Sequence, residues 1–217
     1  MTLRIEVISD VVCPWCFIGK RRLDRALQLL GQEQDSEPLT VDLLWRPFQL
    51  NPQLPPEGMA RSAYLAAKFG GRAEQIYARV TAAGRTVGID FAFERIVRQP
   101  NTVAAHQLID LARSLGVQDQ MVEVLFRGYF LEGKDLTQPS ALIGLAQEAG
   151  IDGEQARACL NDDAQRQAVV EQDEHARELG VGGVPFFIFG GQLAVSGAQE
   201  PEVLVRAFKQ AAGELVQ

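Results

Sequence analysis

Leu3, Ile5 and Val7 alternate with Arg4 and Glu6, the period of a strand with one buried face, and this predicts a strand over residues 3–8. Leu23, Ala26, Leu27 and Leu30 then recur at helical spacing, predicting a helix that opens near Pro14 and closes at Gly31. A Ser/Glu/Pro-containing turn at 35–38 leads into an apolar run, Leu39 to Trp45 with Val41 and Leu43, which reads as a second strand. A helical crossover of this length implies that the two strands are parallel. Residues 51–58, Asn-Pro-Gln-Leu-Pro-Pro-Glu-Gly, cannot form a regular element, because prolines remove donors and fix the backbone, and a segment boundary is placed there.

From about Met59 to Leu179 the periodicity is helical throughout, with Gly70, Gly84, Gly116, Gly150 and Gly180 where helices should stop. The best-defined helix runs from about Thr102 to Leu115, with Asn101 as its cap and Ala104, Leu108, Leu111, Ala112 and Leu115 on one face. Another starts near Pro139 and a last one fills roughly 162–179. Strand character returns at Phe186–Phe189, and a turn at Gly190 and Gly191 folds it onto Gln192–Ser196 as a hairpin. A helix from about Pro201 to Ala212 closes the chain. The order predicts an α/β protein: a discontinuous sheet domain, 1–56 and 180–217, interrupted by a helical insertion domain, 57–179.

At 217 residues, 47% hydrophobic and 23% charged, the chain is long enough to bury a substantial core. A net charge of -7 argues against nucleic-acid and anionic-membrane partners. No apolar stretch suffices to cross a bilayer, and the charged start Met1-Thr2-Leu3-Arg4-Ile5-Glu6 lacks the apolar run of a secretion signal, so a cytoplasmic location is expected. Three cysteines make no disulfide framework, and in a reducing compartment a close pair is more often catalytic or metal-binding than a staple.

That pair is Cys13-Pro14-Trp15-Cys16, at the junction of strand and helix. A helix start leaves N–H groups unpaired and presents the positive end of the peptide dipole, which favours a thiolate at Cys13, the candidate nucleophile. Cys16, one turn inside the helix, is the candidate resolving thiol, positioned to attack a mixed disulfide formed at Cys13. A structural zinc would need two more ligands, and Cys159, His106 and His175 offer no paired finger spacing; haem attachment would want histidine where Phe17 stands. Neither metal nor cofactor is expected beyond the redox-active pair, with glutathione possible as a co-substrate.

The chain resembles thioredoxin-fold proteins of the DsbA type over nearly its whole length. Asp10-Val11-Val12-Cys13-Pro14-Trp15-Cys16, Pro47-Phe48-Gln49-Leu50-Asn51-Pro52, Asn101-Thr102 with Ala105-His106, Gly182-Gly183-Val184-Pro185-Phe186-Phe187 and Val195-Ser196-Gly197-Ala198-Gln199 are similar to the cytosolic FrnE-type branch. That branch is described as predicted dithiol-disulfide isomerases, some linked to polyketide biosynthesis. The resemblance implies a thioredoxin-like fold with an inserted helical domain, and Pro185 as the proline that follows a cis peptide bond and faces the dithiol. It turns the Val184 backbone toward an extended substrate. Trp15 is then an exposed substrate contact.

His106 has two readings: a surface ion pair with Asp110 one turn on, or, by the resemblance, a cleft residue that binds or polarises substrate. Asp10 reads as a turn former at the strand end, with acceptance of the Cys13 proton as the alternative. Cys159 reads as a small buried hydrophobe and His175 as a solvated or salt-bridged face residue. The expected activity is thiol-disulfide exchange on a protein or small-molecule disulfide, reducing or rearranging rather than installing bonds. A glutathione-dependent isomerase or transferase of the kappa or hydroxychromene-carboxylate isomerase type is the alternative, although a serine stands there at the position of Cys13. A holdase chaperone is the third. Oligomeric state is not determined by these patterns.

Overall fold

The computed structural model describes residues 2–32 and 40–214; the turn expected at 35–38 and Leu39 lie outside them. Strand β1 (Thr2–Ser9) pairs in parallel with β2 (Thr40–Pro47), and helix α1 (Pro14–Gln32) precedes β2 in the chain. The hairpin of β5 (Phe186–Phe189) and β6 (Leu193–Ser196) adds antiparallel to the other side of β1, giving the order β2-β1-β5-β6. Val7 is thereby flanked by Trp45 on β2 and Phe187 on β5. Leu3, Ile5 and Val7 enter the main core, while Ile8 emerges on the opposite face against Ala176 and Val181. This is the two-residue alternation of a sheet covered on both faces. The closing helix α9 (Pro201–Glu214) packs along α1.

Between β2 and β5 lie α2 (Arg61–Phe69), α3 (Ala73–Arg85), α4 (Val103–Ser114), α5 (Gln118–Phe130), α6 (Pro139–Glu148), α7 (Gly153–Leu160) and α8 (Asp163–Glu178). The segment is not helical throughout. Two short strands, β3 (Met59–Ala60) and β4 (Arg98–Gln99), pair antiparallel and draw together stretches 38 residues apart, a non-local contact that periodicity cannot register. Gly70, Gly116, Gly150 and Gly180 follow helix ends with positive φ, as expected. Gly84 differs: it lies inside α3, and a Cβ there would meet the Phe91 ring at 2.5 Å, so its role is close packing.

Helix α4 also departs from its expected single face. Ala105, His106, Gln107, Leu108, Ile109 and Ala112 are all buried and Leu115 is exposed, because α5, α7 and α8 surround it. The N-cap is Thr102, not Asn101 as expected; Asn101, one residue earlier, accepts the Val103 N–H at 3.0 Å in a local turn.

The inserted helices share one hydrophobic core with the sheet. Phe17 of α1 stacks on Phe126 of α5 with ring centroids 5.1 Å apart. Beside it, the buried Lys20 ammonium reaches Asp119 at 3.0 Å and Asp24 at 3.3 Å. Gln118 at the start of α5 accepts the Trp45 N–H at 3.0 Å and donates to the Trp45 carbonyl at 3.1 Å, so a side-chain amide takes the place of a further strand at the edge of β2.

Candidate active site

The turn from β1 into α1 closes when the Cys13 N–H donates to the Asp10 carbonyl at 3.0 Å. Pro14 then occupies the first helical position, where its missing N–H costs nothing. The Cys13 carbonyl accepts the N–H groups of Cys16 (3.0 Å) and Phe17 (3.3 Å), so the helix's first hydrogen bonds run through the first cysteine. Both thiols are free. Cys13 is 4% exposed and Cys16 1%, whereas Trp15 between them is 40% exposed. Both thiols are buried, and Trp15 between them is the exposed residue of the turn.

The Val184–Pro185 bond is cis. It brings the Val184 carbonyl to 3.5 Å from Cys13 Sγ, where it accepts the thiol hydrogen. Pro185 lies on α1 directly over Gly19: a Cβ at residue 19 would stand 2.9 Å from Pro185 Cγ. Gly19 is a site residue the sequence reading passed over, since a glycine within a helix carries no signal until its neighbour across the fold is known.

Burial holds the Cys16 thiol well above the ordinary thiol range. The hydrogen bond and charge of Cys13 add to this, and the Ser9 side chain and the Asp10 backbone oppose it. Ser9, too, became visible only in three dimensions. Cys159 is raised to about 11, chiefly by burial, and its sulfur contacts Gln165 Oε1 at 2.9 Å and the Gln107 carbonyl at 3.4 Å, far from the dithiol in the α4–α7–α8 packing. It behaves as the buried hydrophobe expected. His175 is exposed beside Glu178, also as expected.

His106 is not a surface residue. It is 2% exposed, and Asp110 accepts from Gln172 instead of pairing with it. Its Nε2 lies 3.5 Å from Asp10 Oδ1, and neither atom has a hydrogen-bond partner among the described residues. It stands behind the active turn, not on an open cleft wall. Asp10 is likewise more than a local turn former: it is fully buried, and its Oδ2 accepts the Leu50 N–H at 2.7 Å, tying the β1–α1 turn to the loop after β2.

A dithiol heading the first helix of a split sheet, faced by a cis-proline loop, defines a thioredoxin-fold oxidoreductase. Residues 4–209 match the DSBA-like thioredoxin domain family, and the chain belongs to it. It is an enzyme of the oxidoreductase/isomerase kind. The chain is 32% identical to a probable DsbA oxidoreductase from Streptomyces coelicolor, with a TM-score of 0.85 over 98% of this chain and 91% of that one. The protein YwbO of Bacillus subtilis is 27% identical over 95% of this chain and 96% of its own length. The cytosolic disulfide reductase DsbM from Pseudomonas aeruginosa, solved with GSH, shares the fold with a TM-score of 0.58 at 17% identity, covering 99% of this chain and 98% of that one. No described helix is long and apolar enough to cross a membrane, and no described cluster of His, Cys, Asp and Glu has the makings of a metal site.

Proposed function

We propose that the protein reduces or rearranges disulfides in the cytosol through Cys13 and Cys16. The Cys13 thiolate attacks one sulfur of a substrate disulfide; the new S–S bond joins Cys13 to the substrate, and the other substrate sulfur leaves as a thiolate that takes up a proton. Cys16 then gives up its proton and attacks the Cys13 sulfur. The second substrate thiol is released, leaving a Cys13–Cys16 disulfide. The substrate gains two electrons, and a thiol co-substrate of the glutathione kind restores the dithiol. In rearrangement, the released substrate thiolate attacks elsewhere and no net electrons move.

The observation that carries this reading is the different setting of two buried thiols: Cys13 Sγ faces the Val184 carbonyl of the cis-proline loop at 3.5 Å, while burial raises the Cys16 thiol well above its ordinary range. Such an arrangement directs the first attack to Cys13 and reserves Cys16 for resolution. Val184, Pro185 and the exposed Trp15 form the substrate-facing rim, the Val184 backbone offering an extended peptide its hydrogen bonds.

Replacing Cys16 with serine should trap covalent adducts on Cys13 that are recoverable from lysate and released by reductant, and Cys13→Ser should abolish exchange. Adducts that form equally on Cys13→Ser protein would refute the assignment. A reduction potential at the strongly oxidising end of the family range would refute the direction.

A further inference from the structure

Among the buried and half-buried cations of this acidic chain, Lys20 pairs with Asp119, Arg21 with Glu123, Arg22 with Glu200 and Arg46 with Glu6, whereas the half-buried Arg98 donates to the Glu57 carbonyl. Arg61, at the start of α2, is buried and has no carboxylate partner among the described residues either. It is 7% exposed, and among the described residues no carboxylate lies within 4.0 Å of its guanidinium. Its partners are neutral oxygens. Nη1 donates to Gln99 Oε1 and, at 3.5 Å, to the Tyr129 hydroxyl, and Nη2 donates to the Tyr77 hydroxyl. The guanidinium carbon lies 5.3 Å from the ring centroids of both Tyr64 and Tyr77. A guanidinium has five N–H donors, and these bonds leave the Nε hydrogen and one Nη2 hydrogen without a described acceptor.

A second cation continues the row outward. Lys68 donates to the Tyr64 hydroxyl at 2.7 Å and to Asn51 Oδ1 at 3.4 Å, is itself exposed, and also lacks a carboxylate partner among the described residues. Two amide donors in the same cluster, Gln99 Nε2 and Asn51 Nδ2, are buried with no acceptor among the described residues. Spare donors and uncompensated positive charge thus occur together, without an anion. Burying the two amide donors is costly unless something accepts from them, and the group that answers both deficits is an anionic oxygen acid.

The cluster adjoins the dithiol by two routes. Helix α3, which carries Tyr77, packs against α1, and the charge of Cys13 reaches the Tyr77 hydroxyl, whose acidity is reduced first by burial. Asn51 follows Leu50, whose N–H is held by Asp10, the residue whose carbonyl closes the Cys13 turn.

Resting on the dithiol reading above, we infer that Arg61 and Lys68, with Asn51 and Gln99, form a receptor for a carboxylate carried by the substrate, so that the site selects acidic disulfides or thiols. The guanidinium and ammonium bind the carboxylate oxygens, and the dithiol acts on the sulfur at the other end of the same molecule. Charge-assisted bonds of this kind give discrimination of about tenfold or more between a carboxylate and a neutral group.

The test compares reduction of dithiodipropionate, hydroxyethyl disulfide and cystamine, which carry an anion, a hydroxyl and a cation on the same two-carbon arm from sulfur. The parent protein should rank them in that order in kcat/KM, with the acid ahead of the hydroxyl by about tenfold. Arg61→Met should lower the acid's kcat/KM at least about tenfold more than the hydroxyl's, and Lys68→Glu should act the same way from an exposed position that leaves folding intact. Titration calorimetry with thiodipropionate, a thioether that cannot exchange, reads the receptor without the chemistry: the parent should bind it and both variants at least about tenfold more weakly. Equal kcat/KM for the three disulfides in the parent, or thioether binding unaltered by Lys68→Glu, would overturn the receptor. If the thioether binds while no disulfide is reduced, the receptor stands and the dithiol reading fails.

Discussion

At the scale of single residues the site rests on contacts a few ångströms wide. Gly19 is the sharpest instance, because its missing side chain is the space Pro185 occupies. Replacing it with alanine gains about 1 kcal/mol of helix propensity and loses about 1–3 kcal/mol to crowding, so the two effects largely cancel in stability. The Val184–Pro185 loop, however, must retreat from the dithiol. Gly19→Ala should therefore move the unfolding free energy by less than about 2 kcal/mol while lowering the exchange rate more than about tenfold, a split read by denaturant melts and a disulfide-reduction assay on the same preparation. Cys13 and Cys16 themselves were legible from spacing and context, since a thiol pair at a strand–helix junction needs no tertiary information to be recognised. The different environments of the two sulfurs were not: Cys16 is packed with core residues remote in the chain, while Cys13 Sγ meets the Val184 carbonyl.

At the scale of elements the decisive contacts join the helical segment to the strand and helix that frame the dithiol. Gln118 satisfies both backbone groups of Trp45 at the edge of β2. Truncation to alanine leaves a buried N–H and C=O unpaired, and Gln118→Ala should cost about 1–3 kcal/mol, lowering Tm by several degrees in a calorimetric scan. Strand and helix types were readable where the periodicity was long, as in β1 and α1, or where a glycine turn joined two short runs, as in the β5–β6 hairpin. The β3–β4 pair was not, because two-residue strands have no period and are made by their partner. His106 shows the same limit from the other side: Asp110 at one turn's distance suggested a surface pair, yet α4 is enclosed by neighbouring helices, and the histidine meets Asp10 of β1 instead.

For the molecule as a whole, one core running through both sheet and helical segment makes alkaline stability a collective property. Cys16 and Cys159 are held above their ordinary 9.0, and Tyr77 and Tyr129 above 10.0, in each case first by burial. The folded protein therefore keeps protons that the unfolded chain releases. Above about pH 9 the unfolded state binds fewer protons, so stability falls as pH rises; below it the contribution is fully present. Tm should stay level from neutral pH to about pH 8.5 and then decline steadily toward pH 11, and a rise over that interval would contradict the burial of these groups.

The amino-acid sequence by itself determined the order of the longer elements, the split sheet and a thiol pair at a strand–helix junction, because each is written in local period or spacing, and the cis bond before Pro185 followed from the family resemblance. Tertiary structure alone decided that Cys13 faces the Val184 carbonyl, that His106 lies behind the turn, that Gly19 receives Pro185, and that Arg61 is buried without a counter-charge. Each of these depends on distances between residues far apart in the chain, set by how the helical segment docks on the sheet.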